Sequence, residues 1–448
     1  MKIIVAGAGE IGQHLALKLA NEEQQDITLM DSDARLLEKI SAGQDMLTYS
    51  GNPTDAHDLK ECGIEDTDLF ISVMNEEHAN ILACMLANDF GVRETMARVS
   101  NPGYLGQEYA RFFHESGVKS LIYPEELAAE EINTIMLNPW ARKYIELVNG
   151  MIALVGVKVR FGCEIVGKRL SELTMPEEKM FHVVAVKRDS ETIIPKGETR
   201  IEHGDIVFFT ALANDIDAVR QLCGKQNVTV KKVLIMGASD IALRAIDKAS
   251  RGIHFVVIEE EKERIEKIRN WLPQNVTLFH GDGRNTALLA EVGIASAQVF
   301  VALTENSETN ILACLAAKRF GIFKTIAQEE NVDYIPLAEK LDIGTIINRK
   351  VITSGHIYRI LLGQDTNTVK SLTIANADVA EVVARRGAPI VGKRVSELHL
   401  PEGVTLGGMV RNGVPRMIDG DTVIEPYDLV VVFCYNVPMA RIRKLFEA

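Results

Sequence analysis

The chain contains nearly the same sequence twice. Residues 7–12 (GAGEIG) match residues 237–242 (GASDIA), 230 positions later, and residues 80–84 match residues 310–314 with the same shift. A third pair, the IVGKR segments that begin at Ile165 and Ile390, is shifted by 225 positions. A duplication of half the chain with small deletions explains all three matches. The two halves are therefore expected to repeat one architecture, and any difference between them becomes informative.

Composition sets the broad class of the protein. With 448 residues, 47% of them hydrophobic, the chain is long enough for about three domains, or for two halves that are each split once. A net charge of −13 disfavours nucleic acid and anionic lipid as partners. No apolar run reaches the roughly 20 residues of a membrane span. The six cysteines form no CxxC pair, which favours a reducing cytosol and disfavours a metal site.

In the first half, short apolar segments alternate with amphipathic ones. We expect strands near residues 2–6, 26–30, 46–49, 68–73, 94–98 and 119–122. We expect helices over 10–21, 33–42, 55–61, 77–90 and 103–115. Buried strands separated by helices predict an α/β fold with a doubly wound, Rossmann-like parallel sheet, and the repeat predicts a second one.

Each Rossmann-like domain is followed by a segment with a different pattern. Residues 155–159, 183–187 and 205–209 alternate or cluster β-branched residues between turn residues, and a helix over 214–223 closes the segment. This is typical of a small β-rich (α+β) domain. The expected division is therefore 1–140, 141–227, 228–365 and 366–448, with the halves joined near 224–227.

The glycines of the first copy predict an adenine-nucleotide site. Gly7, Gly9 and Gly12 satisfy GxGxxG directly after a strand and at the start of a helix, which is the context that the motif requires. Gly7 permits the tight turn, Gly9 lets a pyrophosphate approach, and Gly12 lets the helix pack on the strand. The backbone of the whole turn, including Ala8, Glu10 and Ile11, would face the phosphates at the helix N-terminus. Asp31, 19 positions after Gly12, would accept hydrogen bonds from ribose hydroxyls and favour NAD over NADP.

Further candidates follow the later strands, because open parallel sheets bind ligands at the carboxyl ends of their strands. Gly51 and Asn52 follow the third strand, and Met74 and Asn75 follow the fourth. Arg98 ends the fifth strand and could pair with a phosphate. A turn or helix-cap role is the alternative for each of these positions.

The second copy departs from the fingerprint. Ser239 replaces the glycine that would face a pyrophosphate, Asp240 adds a carboxylate, and Gln328 replaces the matching Arg98. Glu259 keeps the ribose acid, and Asp282 follows the third strand of this copy. A mononucleotide site and a purely structural role both remain open here.

The helix expected over 124–137 would leave its sheet as an arm. It would expose Leu127, Ile132, Ile135 and Met136 unless it packs on a neighbour. On this ground we expect an oligomer.

The sequence offers little for catalysis. No Tyr-x3-Lys pair, HExxH, GxSxG or recognisable cysteine–histidine constellation is present, and the β-rich segments are small for a substrate domain. We therefore expect a binding protein without catalytic residues. An NAD-dependent oxidoreductase with dispersed catalytic residues is the alternative.

The features above resemble the TrkA-type peripheral subunits of bacterial and archaeal potassium-uptake systems. The resemblance rests on residues 7–12 with Asp31, on 75–80 (NEEHAN), on Ala97 and Arg98, on 304–310 (TENSETN), and on the paired IVGKR modules. It covers essentially the whole chain, in the order nucleotide domain, C-domain, nucleotide domain, C-domain.

The resemblance implies tandem RCK (KTN) domains that bind NAD(H), ATP or ADP and act by a conformational change rather than by catalysis. It also implies a homo-oligomer, most often a tetramer, beneath a potassium-translocating Trk membrane subunit. The expected location is cytoplasmic, at the inner face of the cell membrane. Relatives often carry Asp where this chain has Asn52, whereas Asp282 keeps that residue in the second copy.

Overall fold

The computed structural model describes residues 1–20, 25–42, 45–173, 181–189, 191–363, 368–372 and 377–447. They form two compact units. Unit 1 comprises Met1–Leu127, Arg349–Gln364 and Pro438–Ile442, and unit 2 comprises Ala128–Asn348, Asp365–Val437 and Arg443–Ala448. The domain boundary expected between residues 365 and 366 lies outside the described residues.

Unit 1 contains a six-stranded parallel sheet with the order β3-β2-β1-β4-β5-β6. Its strands are β1 (Lys2–Ala6), β2 (Asp26–Asp31), β3 (Leu47–Ser50), β4 (Leu69–Ser72), β5 (Glu94–Arg98) and β6 (Ser120–Ile122). This is the strand order of a dinucleotide-binding Rossmann fold, in which the order reverses beside the first strand. The predicted parallel sheet is confirmed.

Helices connect these strands. They are α1 (Glu10–Ala20), α2 (Ala34–Ser41), α3 (Ala56–Glu61), α4 (Glu77–Asp89) and α5 (Gln107–Glu115). The single helix expected over 103–115 is instead a 3-10 turn, Pro102–Leu105, followed by α5. The Asn101 side chain accepts a hydrogen bond from the Gly103 N–H and starts the short turn, and Gly106 separates it from α5.

A helix from the second half of the chain completes unit 1. This helix, α13 (Arg349–Gly363), packs along α1. The Lys18 ammonium of α1 lies 4.1 Å from the centre of the Tyr358 ring, whose residue is almost fully buried. The first Rossmann-like domain therefore uses a helix that is more than 200 positions away in sequence.

Unit 2 contains the second parallel sheet, with the order β14-β13-β12-β15-β16-β17. Its strands are β12 (Lys232–Met236), β13 (His254–Glu259), β14 (Val276–His280), β15 (Val299–Ala302), β16 (Lys324–Gln328) and β17 (Thr345–Ile347). Its helices are α8 (Asp240–Asp247), α9 (Lys262–Ile268), α10 (Thr286–Glu291), α11 (Ser307–Arg319) and α12 (Ile335–Lys340). The strand order repeats that of unit 1, as the duplication predicts.

Two five-stranded antiparallel sheets complete unit 2, with the orders β10-β9-β11-β8-β7 and β18-β19-β22-β20-β21. The first consists of β7 (Lys143–Leu147), β8 (Ile152–Lys158), β9 (Phe181–Arg188), β10 (Glu191–Ile193) and β11 (Ile206–Leu212). The second consists of β18 (Thr368–Leu372), β19 (Ala377–Val383), β20 (Val404–Arg411), β21 (Val414–Arg416) and β22 (Leu429–Tyr435). Helices α7 (Ile216–Leu222) and α14 (Met439–Phe446) follow them.

The two antiparallel sheets share one hydrophobic core. Leu154 and Phe208 of the first sheet and Val431 and Phe433 of the second lie in the same buried cluster. The Thr210 hydroxyl also donates a 2.7 Å hydrogen bond to the Gly407 carbonyl across the interface. The predicted pair of small β-rich domains is confirmed, and the two pack together inside unit 2.

Helix α6 (Pro124–Leu137) contradicts the reason given above for an oligomer. Its residues Ile132, Ile135 and Met136 are nearly inaccessible to solvent within one chain. In unit 2 the Asn133 amide donates a 3.1 Å hydrogen bond to the Ala245 carbonyl of α8. The apolar face of α6 is therefore covered without a second molecule, and the expectation that a neighbouring molecule covers it was wrong.

Among the described helices, none combines the length and the apolar character that crossing a membrane requires.

Candidate nucleotide-binding site

The glycine turn between β1 and α1 has the shape that the fingerprint predicts. Gly7 has a φ of +101°, and a Cβ atom added to it would lie 2.9 Å from the Met74 backbone nitrogen. A Cβ on Gly12 would lie 1.8 Å from the Gly7 carbonyl oxygen. At Gly9, in contrast, nothing lies within 4 Å of an added Cβ. Gly7 and Gly12 are thus required by packing, whereas Gly9 leaves open space beside the N-terminus of α1.

Asp31, at the end of β2, is attached to this turn. Its Oδ2 accepts a 2.7 Å hydrogen bond from the Ala8 N–H, and its Oδ1 accepts one of 2.9 Å from the Asp33 N–H. Its backbone carbonyl accepts a 3.0 Å bond from the Gly51 N–H. The side chain is half-buried, so part of the carboxylate remains accessible at the edge of the sheet.

Asn80 joins the next two strand ends, a role that the sequence did not reveal. Its Oδ1 accepts hydrogen bonds from the Met74 N–H and the Ser72 hydroxyl, both at 2.8 Å. Its Nδ2 donates to the carbonyls of Met74 and Arg98, both at 2.9 Å. Asn310 makes matching contacts with Thr304 and the Gln328 carbonyl in the second copy. The shared Asn was the available signal, since both copies carry it at the same place in the helix.

The remaining residues of the first site divide by exposure. Ile11 is buried in the core, so only its backbone could face a ligand. Asn75 is exposed in the turn before α4, and Arg98 is half-buried at the end of β5. Asn52 is exposed and builds its own turn: its N–H donates to Asp58 at 2.7 Å, and its Oδ1 accepts from the Thr54 hydroxyl at 2.8 Å.

Lys350 is a second residue that sequence reasoning missed. It is the second residue of α13, and its ammonium forms an ion pair with the exposed Glu10 carboxylate, at the first position of α1. The adjacent Arg349 pairs with Glu125 at 3.1 Å. These contacts bring two cations of α13 into unit 1, one of them to the glycine turn. No local sequence pattern could have located them there.

In the second copy, the corresponding turn is filled by the protein's own groups. The Ser239 hydroxyl caps α8 by accepting a 3.4 Å hydrogen bond from the Ala242 N–H. The Arg264 guanidinium donates to the Ala238 carbonyl at 2.5 Å and to the Asp240 carboxylate at 3.1 Å. The second turn therefore carries side-chain contacts that involve Ser239, Asp240 and Arg264.

The two acidic candidates of the second copy lie in unit 2, and both already accept hydrogen bonds from the protein. Glu259 is 9% exposed, and its carboxylate accepts hydrogen bonds from the N–H groups of Ala238, Glu260 and Glu261. The Asp282 carboxylate accepts hydrogen bonds of 2.8–3.1 Å from Nε and Nη2 of Arg284. Hydrogen bonds from the Arg284 guanidinium lower the pKa of Asp282 below its ordinary value.

Family models match most of the chain. The TrkA-N domain matches residues 3–124 and 233–349, and the TrkA-C domain matches residues 154–224 and 379–447. These matches follow the duplication: each half carries one copy of each domain.

Whole-chain relatives agree with the domain matches. The chain is 32% identical to the Trk system potassium uptake protein TrkA of Halomonas elongata, over 100% of this chain and 99% of the relative. It is also 32% identical to the protein of the same name from Vibrio alginolyticus, over 97% and 96%.

Solved structures share the fold at low sequence identity. The GsuK RCK domain matches with a TM-score of 0.59 and 14% identity, over 99% of this chain and 93% of that one. The structure described as the GsuK channel bound to NAD matches with a TM-score of 0.59 and 14% identity, over 99% and 78%. At this identity the likeness concerns the fold, and the family follows from the domain matches and the relatives. The chain belongs to the TrkA family of Trk-system potassium-uptake proteins.

Proposed function

We propose that this chain is a nucleotide-sensing regulatory subunit that gates a potassium-uptake transporter. In the proposal, the first parallel sheet binds NAD(H), ATP or ADP, and no bond is made or broken. The observation that carries it is the open space at Gly9 beside the α1 N-terminus, with the Asp31 carboxylate anchored to the same turn.

The residues of the first site fit an adenine nucleotide. The backbone N–H groups from Gly7 to Gly12 and the positive end of the α1 dipole would hold a pyrophosphate. Asp31 would accept hydrogen bonds from the ribose hydroxyls. Arg98 would pair with a phosphate. Gly51, Asn52, Met74 and Asn75 would border the ligand at the ends of β3 and β4.

The second copy plays a different part in the proposal. Ser239 caps α8 and Arg264 pairs with Asp240 at this turn, and these contacts within the protein support a structural role for it. Glu259 and Asp282 would then serve the fold rather than a dinucleotide. A mononucleotide could still bind at the carboxyl ends of the strands of the second sheet without contacting this turn. The proposed division is sensing in residues 1–140 and a modified copy in 228–365, with C-domains over 141–227 and 366–448.

Lys350 suggests how binding at the turn acts on the rest of the protein. A phosphate beside α1 would compete with Glu10 for the Lys350 ammonium, because both are anions at the same helix end. Two nucleotides that differ in charge would then favour different positions of α13. Such coupling is typically worth about 1–3 kcal/mol, and a ligand with equal affinity for both states would have no effect.

The partner follows from the family rather than from the site. The relatives' names place them in the Trk potassium-uptake system, so the proposed partner is a potassium-translocating membrane subunit at the inner face of the cell membrane. The GsuK channel, which shares the fold, is described as bound to NAD. A homo-oligomer, with a tetramer as the family pattern, is part of the proposal.

Deleting the gene in its host and measuring rubidium or potassium uptake tests the function. We expect impaired growth at low external potassium, restored by the wild-type gene. The Gly9→Asp variant should restore an uptake that no longer responds to nucleotide. Unchanged uptake after deletion, without a redundant copy, would refute the transport role and leave nucleotide binding standing. Turnover of an alcohol, aldehyde or 2-hydroxy acid with NAD(H), followed at about 340 nm, would instead favour the oxidoreductase alternative.

A further inference from the structure

A basic cleft lies inside unit 2, between the first antiparallel sheet and the second parallel sheet. Its volume is about 470 Å³, within the range of small-molecule sites. Residues 139–142, 160–163 and 223–226 with Lys158 line one side, and residues 321–325 with Lys318 and Gly344 line the other. The cleft is therefore formed jointly by two domains, and it lies in a different unit from the glycine turn of β1.

The charge of this cleft is opposite to that of the protein. Six of its twenty lining residues are cationic, and none is Asp or Glu, although the chain as a whole carries 62 acidic and 49 basic side chains. The cations are Arg142, Lys158, Arg160, Lys225, Lys318 and Lys324.

One carboxylate beside the cleft, that of Asp342, forms ion pairs with four of these six cations. Asp342 forms ion pairs with Arg142, with Lys158 at 3.3 Å, with Arg160 at 3.0 Å and with Lys318 at 3.4 Å. A single negative charge can balance only one of the four. Burial acts to raise the pKa of Asp342, but the surrounding cations lower it to about 2.

The positive charges of the other two cations, Lys324 and Lys225, are balanced still less by negative groups. Lys324 is 5% exposed, and its ammonium donates a 2.5 Å hydrogen bond to the Ala141 carbonyl. Within the described residues, neither Lys324 nor Lys225 has an ion-pair partner. Burial lowers the pKa of Lys324 well below its ordinary value, and nearby Arg142 and Arg160 lower it further. A positive charge on so deeply buried an ammonium is costly unless an anion approaches it.

We propose that the cleft binds a soluble small molecule that carries two or more phosphate groups. The four cations that pair with Asp342 outnumber it by three charges, and a single phosphate carries too little charge to balance that surplus. Guanidinium groups such as Arg142 and Arg160 suit bidentate contacts with phosphate oxygens. The cleft is concave and lies between two domains, which suits a compact polyanion better than a membrane surface. The ligand would join the first C-domain to the second nucleotide domain, giving the chain a second input that is separate from the first site.

Calorimetry with inorganic pyrophosphate tests the proposal, using the full chain with Gly9→Asp so that the first site does not contribute. We expect saturable binding that weakens at least tenfold in the Arg160→Gln/Lys225→Gln double variant. A Lys168→Gln/Lys196→Gln variant is the matched control: it removes the same charge from two exposed lysines elsewhere, and it should bind as the parent does. Melting temperatures of both variants verify that they are folded.

Three results would overturn the proposal: no binding at millimolar pyrophosphate, equal weakening in both double variants, or tighter binding of orthophosphate than of pyrophosphate. A lipid headgroup is tested separately by co-sedimentation with phosphatidylcholine vesicles that contain phosphatidylglycerol. Vesicle binding that needs Arg160 and Lys225, without pyrophosphate binding, would also contradict a soluble ligand. None of these results bears on the proposed function of the first site. That function is tested separately, by cofactor binding to Gly9 and Asp31 variants in which the cleft residues are unchanged.

Discussion

Lys350, the second residue of α13, forms an ion pair with Glu10, the first residue of α1, although the two are 340 positions apart in the chain. Lys350 is largely buried, and Glu10 is exposed at the glycine turn. The pair therefore joins the candidate nucleotide site to a helix that follows the second Rossmann-like domain in sequence.

We expect Lys350→Gln to weaken NADH binding about threefold to tenfold, because the phosphates would lose a nearby positive charge and keep the Glu10 charge. Glu10→Gln should strengthen binding by a similar factor. Isothermal titration calorimetry measures both affinities. Lys39→Gln, an exposed site on α2, is the control for general charge effects. If both variants bind NADH as the wild type does, the Lys350–Glu10 ion pair does not contribute to nucleotide binding.

Gly9→Asp should weaken NADH or ATP binding at least tenfold, or about 1.4 kcal/mol, because a carboxylate would occupy the space for the pyrophosphate. The fold should be retained, since nothing lies within 4 Å of the new Cβ. Ser239→Asp in the second copy is the matched control and should leave the affinity unchanged. Calorimetry gives the affinities, and a melting curve verifies folding. If Gly9→Asp and the wild type bind with equal affinity, the nucleotide does not bind at the glycine turn.

Asp31 should make the protein prefer NAD over NADP, because its charge repels a 2′-phosphate. We expect Asp31→Asn to lower the ratio of the NADP and NAD dissociation constants by at least about tenfold. The Asn Oδ1 can still accept the hydrogen bond from the Ala8 N–H, while the exposed Asp33 N–H, which loses its acceptor, can bond to water. Competition binding with the two cofactors measures the ratio. A ratio that stays constant would mean that Asp31 does not face the ribose.

Asn80→Ala should lower the free energy of unfolding by about 2–4 kcal/mol, because it leaves the partly buried Met74 N–H and Arg98 carbonyl without the Asn80 amide. Urea denaturation measures this loss. Asn310→Ala, the matching change in unit 2, should cost a similar amount. Only Asn80→Ala should also weaken NADH binding, since Asn310 orders the modified copy. Equal effects of the two variants on NADH affinity would contradict the assignment of the site to the first sheet.

Acid should destabilise unit 1 through His356. Burial first, and then the charge of Arg359, lower the pKa of His356 to about 4. The unfolded chain therefore binds more protons than the folded one between about pH 6.5 and pH 4, so stability falls as the pH drops through that window. From pH 7 to pH 5 the expected loss is about 2 kcal/mol.

Unfolding curves at the two pH values measure this loss. His356→Gln should shrink it, and His57→Gln, an exposed site, should not. His14 and His182, whose pKa values burial also lowers, act in the same direction, so some pH dependence should persist. A loss of the same size in His356→Gln and wild type would contradict the prediction.

The sequence by itself determined the repeated architecture, because the signals that specify it are local. Short apolar strands, amphipathic helices and the GxGxxG turn report the conformation of neighbouring residues. The duplication lets each signal be read twice. The replacement of Gly9 by Ser239 in the second copy was visible in the same way, as was the acid at position 31 or 259.

Only the tertiary structure decided which distant residues meet. The ion pair of Lys350 with Glu10, the cover over α6 and the cationic cleft around Lys324 all join segments that are more than 100 positions apart. Helix periodicity shows that α6 has an apolar face, yet it does not say which surface covers that face, and for this reason a second molecule was wrongly expected there. Six cations scattered between Arg142 and Lys324 look like ordinary surface charge in a chain of net charge −13. They become a site only because two domains fold against each other, since electrostatic energy depends on separation in space and not along the chain.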